Sequence, residues 1–508
     1  MSIYLCYDLK GIQQYIFQIP KLTCCIGGSR QIDDFDRNIA GKCSVNGVKL
    51  IYSGGGKGAF ECDSENSLAQ WKNQLVENAF KKGLTIRFGI DSDYSTAARE
   101  IRETFCYQPD SLEGHPCRLS GLYPVADGGI HPLIAEREKL GRQHGEKSPT
   151  EEKFLNTIQK RFNRGNLSFF YNVSADDGDD GYRGARALGN RNRWAVVCMD
   201  GNDMGMQFLT FKEQNHSNAQ WQEWLPEMSR RLDECTCNAA AEGMCAVTEK
   251  YLEENPGATV LPLRPLIVGG DDVTVLVSCK YALLFVKTVM QTFNAESRKF
   301  APLWVGTGGE MTISAGILFS PVTLPLHSAL SYTETLLAGA KTRGRALKKD
   351  SKQASPPCLD WENVTESMLL SPAERRQKEF LFEDEETGNT IQLSARPYSL
   401  EEFGDTEKVK SFFIDRKIPS SICYQLHPAL LKSKPERMAF YAKLKKNHPE
   451  LAAKLYEPLP GSKTNFGSWW RISDKTQTTC VIDALLLIQE EKRMTQNTAT
   501  LWETSEND

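Results

Sequence analysis

The chain has 508 residues, which at about 150 residues per domain corresponds to roughly three domains. Its 61 basic and 65 acidic side chains leave a net charge of −4, so there is no global positive field to hold nucleic acid. Any RNA or DNA contact must be local or supplied by partner chains. A hydrophobic share of 40% with 25% charged residues excludes a wholly disordered, fibrous or membrane-embedded chain.

The opening run MSIYLCYDLKG places Asp8 and Lys10 where a secretion signal needs apolar residues. The best apolar stretches, Tyr281–Val286 and Val481–Ile488, are too short to span a bilayer. Fifteen cysteines scattered through apolar segments read as reduced thiols. The expectation is a cytoplasmic protein with no membrane contact.

In chain order, Ile3–Asp8 reads as a strand and Gly11–Pro20 as the start of a helix. Lys49–Ser53 and Gly58–Cys62 flank the turn Gly54-Gly55-Gly56-Lys57, which predicts a hairpin. Leu68, Trp71, Leu75 and Ala79 give Ser67–Lys82 a helical stripe, and Leu84–Ile90 returns as a strand. A second copy of this order begins at Arg193. Trp194–Met199 is an apolar strand ending at Asp200, and Leu266–Val268 and Val273–Ser278 flank a second turn, Gly269-Gly270-Asp271-Asp272. Tyr281–Arg298 reads as a helix, Met311–Leu318 as a strand and Leu330–Leu347 as a helix. This duplication predicts an α+β chain with two ferredoxin-like palm sheets. Residues 1–105 form the first palm and 193–350 the second; 106–192 between them read as irregular, with an acidic Gly-rich loop at Ser174–Gly181. Residues 351–508 read as a C-terminal helical domain, with helices at Glu366–Phe380, Ser399–Arg416, Pro428–Asn447 and Thr478–Met494, and a frayed last dozen residues.

Three motifs of the second copy carry chemistry. Trp194–Gly205 (WAVVCMDGNDMG) runs a strand into Asp200; the hairpin tip offers Asp271 and Asp272; and AKTRGR, Ala340 to Arg345, closes a helix. Asp200 at a strand end and the acids of a neighbouring hairpin can converge on Mg²⁺ or Mn²⁺, which take oxygen ligands and keep water and phosphate oxygens. Gly269 and Gly270 let a nucleotide approach the backbone with no Cβ in the way. Lys341 and Arg345, four residues apart, share a helical face and could clamp a triphosphate. Each motif alone has an ordinary reading, as a tight turn, a strand end or a solvated helix face. Their order, each on the element the chemistry needs, raises the joint reading.

Asp200-Gly201-Asn202-Asp203-Met204-Gly205 followed by GGDD and AKTRGR resembles the catalytic palm of the large polymerase-like subunit of type III CRISPR effector complexes. It is similar, more distantly, to GGDEF diguanylate cyclases, whose last helix carries a matching A-K-x-x-G-R. The run Tyr7 to Phe17, then Ile26-Gly27-Gly28-Ser29 and Tyr52-Ser53-Gly54-Gly55-Gly56, looks like that subunit's first palm, and Leu393 to Glu402 (LSARPYSLEE) looks like the start of its last helical domain.

The resemblance implies a nucleotidyltransferase that joins ATP into a cyclic oligoadenylate or cyclic dinucleotide messenger in antiviral defence. A downstream effector would answer the product, and RNA-guided complex subunits and RNA are the implied partners. In that family the GGDD palm is catalytic, and the first palm holds nucleotide and lacks the carboxylates. Gly54, Gly55, Gly56 and Lys57 fit this, with no acid where Asp271 and Asp272 stand. The sequence departs from the family twice. None of its seven histidines is followed by Asp, so the family's HD nuclease motif is missing. Between the palms, Cys106, His115, Cys117 and His131 include no C-x2-C pair, and a structural zinc site needs four ligands; Cys235, Cys237 and Cys245 fare no better. Two other readings are carried: a non-catalytic nucleotide-sensing or RNA-complex scaffold, and a diguanylate cyclase.

Overall fold

The computed structural model describes residues 2–19, 22–107, 114–121, 123–125, 129–143, 148–170, 193–214, 216–322, 324–350, 352–364, 370–383, 388–415, 418–430, 434–447, 449, 470–473 and 476–495. The acidic loop Ser174–Gly181 and the last dozen residues lie outside them.

β1 (Ile3–Leu9) alternates sides, and its Leu5, Tyr7 and Leu9 are buried with Trp71, Leu75 and Ala79 of α3 (Glu65–Lys82). α1 (Ile12–Phe17) and α2 (Leu22–Asp34) lead to the hairpin β2 (Val48–Gly54) and β3 (Lys57–Cys62); β4 (Ile86–Asp91), α4 (Tyr94–Arg99) and β5 (Glu103–Phe105) complete the unit. The sheet order is β2-β3-β1-β4-β5. Ser64 caps α3 with a reciprocal pair of bonds to Ser67, and left-handed Gly83 ends it.

α5 (Pro132–Gln143) and α6 (Pro149–Phe162) occupy the stretch expected to be irregular. Its helix signals were present in the chain: Ser148 and Glu151 form a capping box around Pro149, and Asn163 closes α6 in the left-handed region.

The second sheet repeats the first. β6 (Arg193–Gly201) is flanked by the hairpin β7 (Leu263–Gly269) and β8 (Asp272–Val277) on one side and β9 (Ile313–Pro321) on the other. The copy holds in detail. Hairpin register skips occur between Leu50 and Tyr52 and between Pro265 and Ile267, at the same distance from each turn. Leu9 N–H donates to the Gly56 carbonyl at 2.7 Å, as Gly201 N–H does to the Asp271 carbonyl at 3.1 Å. Lys10 N–H bonds Thr85 at 2.9 Å, as Asn202 N–H bonds Thr312 at 2.8 Å. Gly11 and Asp203 start the next helices with φ of 68° and 59°.

α7 (Met204–Glu213) follows β6, and α8 (Asn218–Glu254) then runs for 37 residues, about 55 Å at 1.5 Å per residue. Ala195, Val197, Met199, Val273 and Val275 pack in one core with α8 and α9 (Ala282–Arg298). A Cβ at Gly243 would come within 2.6 Å of Val289, which sets how closely α8 and α9 pack. The opposite face, Val196 and Cys198, shares a core with Leu330, Leu336 and Leu337 of α10 (Leu326–Leu347). The sheet extends through β10 (Cys358–Asn363).

α11 (Pro372–Phe380), β11 (Leu381–Glu383), β12 (Thr390–Gln392), β13 (Tyr398–Ser399), α12 (Leu400–Asp415), α13 (Ser420–Leu430) and α14 (Lys434–Asn447) follow, then β14 (Trp470–Ser473), β15 (Thr476–Thr479) and α15 (Val481–Thr495). β13 joins the second sheet, while β11-β12-β15-β14 form a sheet of their own within the expected helical region. This part is seated by buried charges. Arg396 bridges Glu362 at 3.0 Å and Asp483 at 2.9 Å, and Arg193 pairs with Glu490 at 2.7 Å. Removing one member would leave a buried charge without its partner, a loss of about 3–5 kcal/mol.

Candidate active site

Alternation along β6 puts Val196, Cys198 and Asp200 on the face that α10 covers. Asp272 stands directly opposite Asp200 across the antiparallel ladder, so their side chains share that face. The turn Gly270-Asp271 adds a third acid, Asp271, whose carboxyl is close enough to Asp200 to feel its charge. A Cβ at Gly201 would stand 3.0 Å from the Asp271 Cβ, so any side chain there would press on Asp271. Gly270 takes a φ of +60°, which favours glycine in the turn. Three acids singled out in the sequence, Asp200, Asp271 and Asp272, thus lie together beside Gly269 and Gly270.

Lys341, from α10, pairs with Asp200 Oδ2. Burial and the Asp200 charge hold the Asp271 carboxyl above its usual range, with the Lys341 charge opposing. Asp272 is pushed up to about 7 by burial, then by Asp271 and Asp200, while Lys341 and Lys57 pull it down. Lys57 belongs to the first hairpin, so the two palms face each other closely enough for one to act on the other's carboxylates.

Among the described residues no three His, Cys, Asp or Glu side chains are grouped as a ready-made metal cage. The donor set nonetheless suits Mg²⁺ or Mn²⁺: all its ligands are oxygens, and magnesium is held by one or two carboxylates plus water and substrate phosphate. The Lys341 ammonium already occupies Asp200 as a cation would.

Arg345, expected beside Lys341, is exposed and, among the described residues, has no ion pair. Arg343 turns away, pairing with Glu402 of α12 at 2.7 Å. Asp203, in the recognised motif, serves the backbone: it accepts from Ser355 N–H at 2.6 Å and lies 3.4 Å from Lys348. In the first palm, Gly54 and Gly55 are exposed at the tip with open space around them, Gly56 is buried, and Lys57 is exposed. Asp8 occupies the register position of Asp200 but is paired with Arg87. One carboxylate therefore survives in the first palm, neutralised, where the resemblance implied none. Sequence reading missed Asn202, which is buried and donates to Thr312 Oγ1 at 2.8 Å, and it missed Asp233 and Thr236 behind the turn.

These carboxylates, glycines and Lys341 all lie in residues 193–351. The segment matches the second palm domain of Cas10/Cmr2. That Cas10/Cmr2 palm match takes in β6 to α10. Two solved structures share the fold over nearly the whole chain. Csm1 of T. onnurineus is 11% identical with a TM-score of 0.52, over 97% of this chain and 69% of that one. A Csm1–Csm4 cassette in complex with cA3 is 11% identical with a TM-score of 0.50, over 96% and 69%. At such identity the likeness is one of fold. No curated protein matches. Among the described residues no helix is long and apolar enough to cross a membrane.

Proposed function

We propose that the chain is a metal-dependent nucleotidyltransferase that joins ATP into a cyclic oligoadenylate or cyclic dinucleotide. The observation that carries the reading is the convergence of Asp200, Asp271, Asp272 and Lys341 at one strand end, in the segment that matches a second palm domain. The Csm1–Csm4 neighbour crystallised with cA3 supports the product class and a Csm4-like partner subunit.

Asp200 and Asp271, with Asp272 beside them, would hold Mg²⁺ or Mn²⁺, which when bound neutralises phosphate charge and acidifies an attacking hydroxyl. Lys341, released from Asp200, and Arg345 bind the triphosphate. Gly269 and Gly270 let the nucleotide lie against the backbone. The 2′- or 3′-hydroxyl of one ATP attacks the α-phosphorus of the other; the new P–O bond forms as the bond to pyrophosphate breaks. Asp272, whose carboxyl is pushed up to about 7 with no metal bound, would accept the hydroxyl proton where it is not itself a metal ligand. Residues 1–105 act as a nucleotide-holding partner palm, with Gly54 to Gly56 as platform and Lys57 reaching toward the shared cleft.

Incubating the pure protein with each labelled NTP and Mn²⁺, then resolving products, tests the reading. ATP-specific cyclic product is expected. GTP consumption would replace it with the diguanylate reading, and nucleotide binding with no turnover, alone and with a Csm4-like subunit and target RNA, would replace it with the scaffold reading.

A further inference from the structure

Asp233 and Thr236 lie one turn apart on α8, and both reach Gly270 of the GGDD turn, one at its N–H and the other at its carbonyl. Gly270 N–H donates to Asp233 Oδ1 at 3.0 Å, and Thr236 Oγ1 donates to the Gly270 carbonyl at 2.6 Å. Thr236 is fully buried. Cys237 Sγ lies 3.8 Å from the other Asp233 oxygen, and Lys153 Nζ of α6 lies 2.9 Å from that sulfur, so the carboxylate is backed from its far side.

The first palm repeats the acid's half of this device with other residues. Asp36 accepts Gly56 N–H at 2.7 Å through one carboxylate oxygen and Tyr7 OH at 2.9 Å through the other, and Ser53 Oγ donates to the Asp36 carbonyl at 3.0 Å. The N–H gripped there is one residue further along the turn. In both palms the acid comes from the helical segment between the central strand and the hairpin. Because the first hairpin lacks acids matching Asp271 and Asp272, the grip serves the turn itself and not metal ligation.

The second turn needs such a grip more. Asp271 and Asp272 at its end repel each other and Asp200, a repulsion that the first turn, with Gly56 and Lys57 in their places, does not carry. We infer that Asp233 and Thr236 are positioning residues that fix the Gly269–Asp272 turn so that its acids stand against Asp200. The catalytic consequence rests on the proposed nucleotidyl transfer; the geometry does not.

The test uses the full chain with Asp233→Leu, Asp233→Asn, Thr236→Val and Thr236→Ser. Two quantities are read: amide hydrogen exchange at Gly270 without ligand, and kcat and KM for ATP with Mn²⁺. Asp233→Leu and Thr236→Val should each raise exchange at Gly270 and lower kcat by about tenfold or more, leaving KM within about twofold, as loss of one hydrogen bond to a key group implies. Asp233→Asn and Thr236→Ser, which keep the acceptor and the hydroxyl, should stay within about threefold of wild type. Thr236→Val is nearly isosteric and carries the test if Asp233→Leu does not fold. Unchanged exchange, or raised exchange with kcat intact, overturns the inference. A wild type that consumes no nucleotide while the exchange response appears overturns the proposed activity and leaves the grip on the turn standing.

Discussion

Lys341 pairs with Asp200 across the gap between α10 and the end of β6, so an ammonium neutralises the acid on which the proposed metal site depends. A lysine there has two roles that pull in opposite directions. Under the proposed function it would compete with metal for Asp200 without nucleotide and be free to hold phosphate with it. Lys341→Gln should therefore tighten Mn²⁺ binding to the nucleotide-free protein several-fold, as read by Mn²⁺ EPR. It should also lower kcat/KM for ATP about tenfold or more, since one charge-assisted contact is lost. Weaker metal binding together with normal turnover would show that Lys341 serves neither role.

Asp271 and Asp272 sit at a largely buried turn, yet outside both apolar cores. Replacing both with Ala should abolish product while the melting temperature without ligand stays at or slightly above wild type, because three acids no longer crowd one another. Mg²⁺ should raise the wild-type melting temperature and leave that of the double variant unchanged. Wild-type turnover in the double variant would move the metal site elsewhere.

The site was legible in the sequence because its parts are local. A strand end, a Gly-Gly turn and a helical i, i+4 pair are each set by neighbouring residues, and the repeated order supplied their relation. What the sequence hid is long-range or unpatterned. Asp233 and Gly270 are 37 residues apart, and Asp36 and Gly56 are 20 apart, with no periodicity to link them. α8 escaped because Cys235, Ala239, Ala240, Gly243 and Met244 are small or apolar and buried in the core, so no single apolar stripe marks it as a helix. β14 and β15, reading WRIS and TQTT, are too short and polar to stand out from a helical tail.

Stability should depend on pH through Asp272. Its folded carboxyl is pushed up to about 7, mainly by burial and then by Asp271, while in an unfolded chain it would titrate near 4. The folded state therefore holds that proton more tightly. The stability this provides is full below about pH 4, declines as pH rises through about 7, and is gone above that. Asp272→Asn, which stays neutral, should gain on wild type over that window. The two melting temperatures should nearly coincide at pH 4.5, with the variant higher at pH 8 by on the order of 1 °C or more. A difference that shrinks toward pH 8 would refute the raised carboxyl.

The AKTRGR motif carries two arginines that the structure gives different work. Arg343 binds Glu402 at 2.7 Å, tying α10 to α12, while Arg345 is exposed. Arg343→Gln should therefore act on the fold: a half-exposed pair of this kind is worth about 0.2–1 kcal/mol, read as a small drop in melting temperature with KM for ATP near wild type. Glu402→Gln should do the same, and the double variant should lose little more than either single one, because both remove one contact. Arg345→Gln should leave the melting temperature unchanged without nucleotide, raise KM for ATP about tenfold if its triphosphate contact is made in full, and reduce the stabilisation that ATP provides. Should Arg343→Gln raise KM while Arg345→Gln leaves it alone, the assignment of the two side chains is reversed, and the phosphate would then lie on the α12 side of α10.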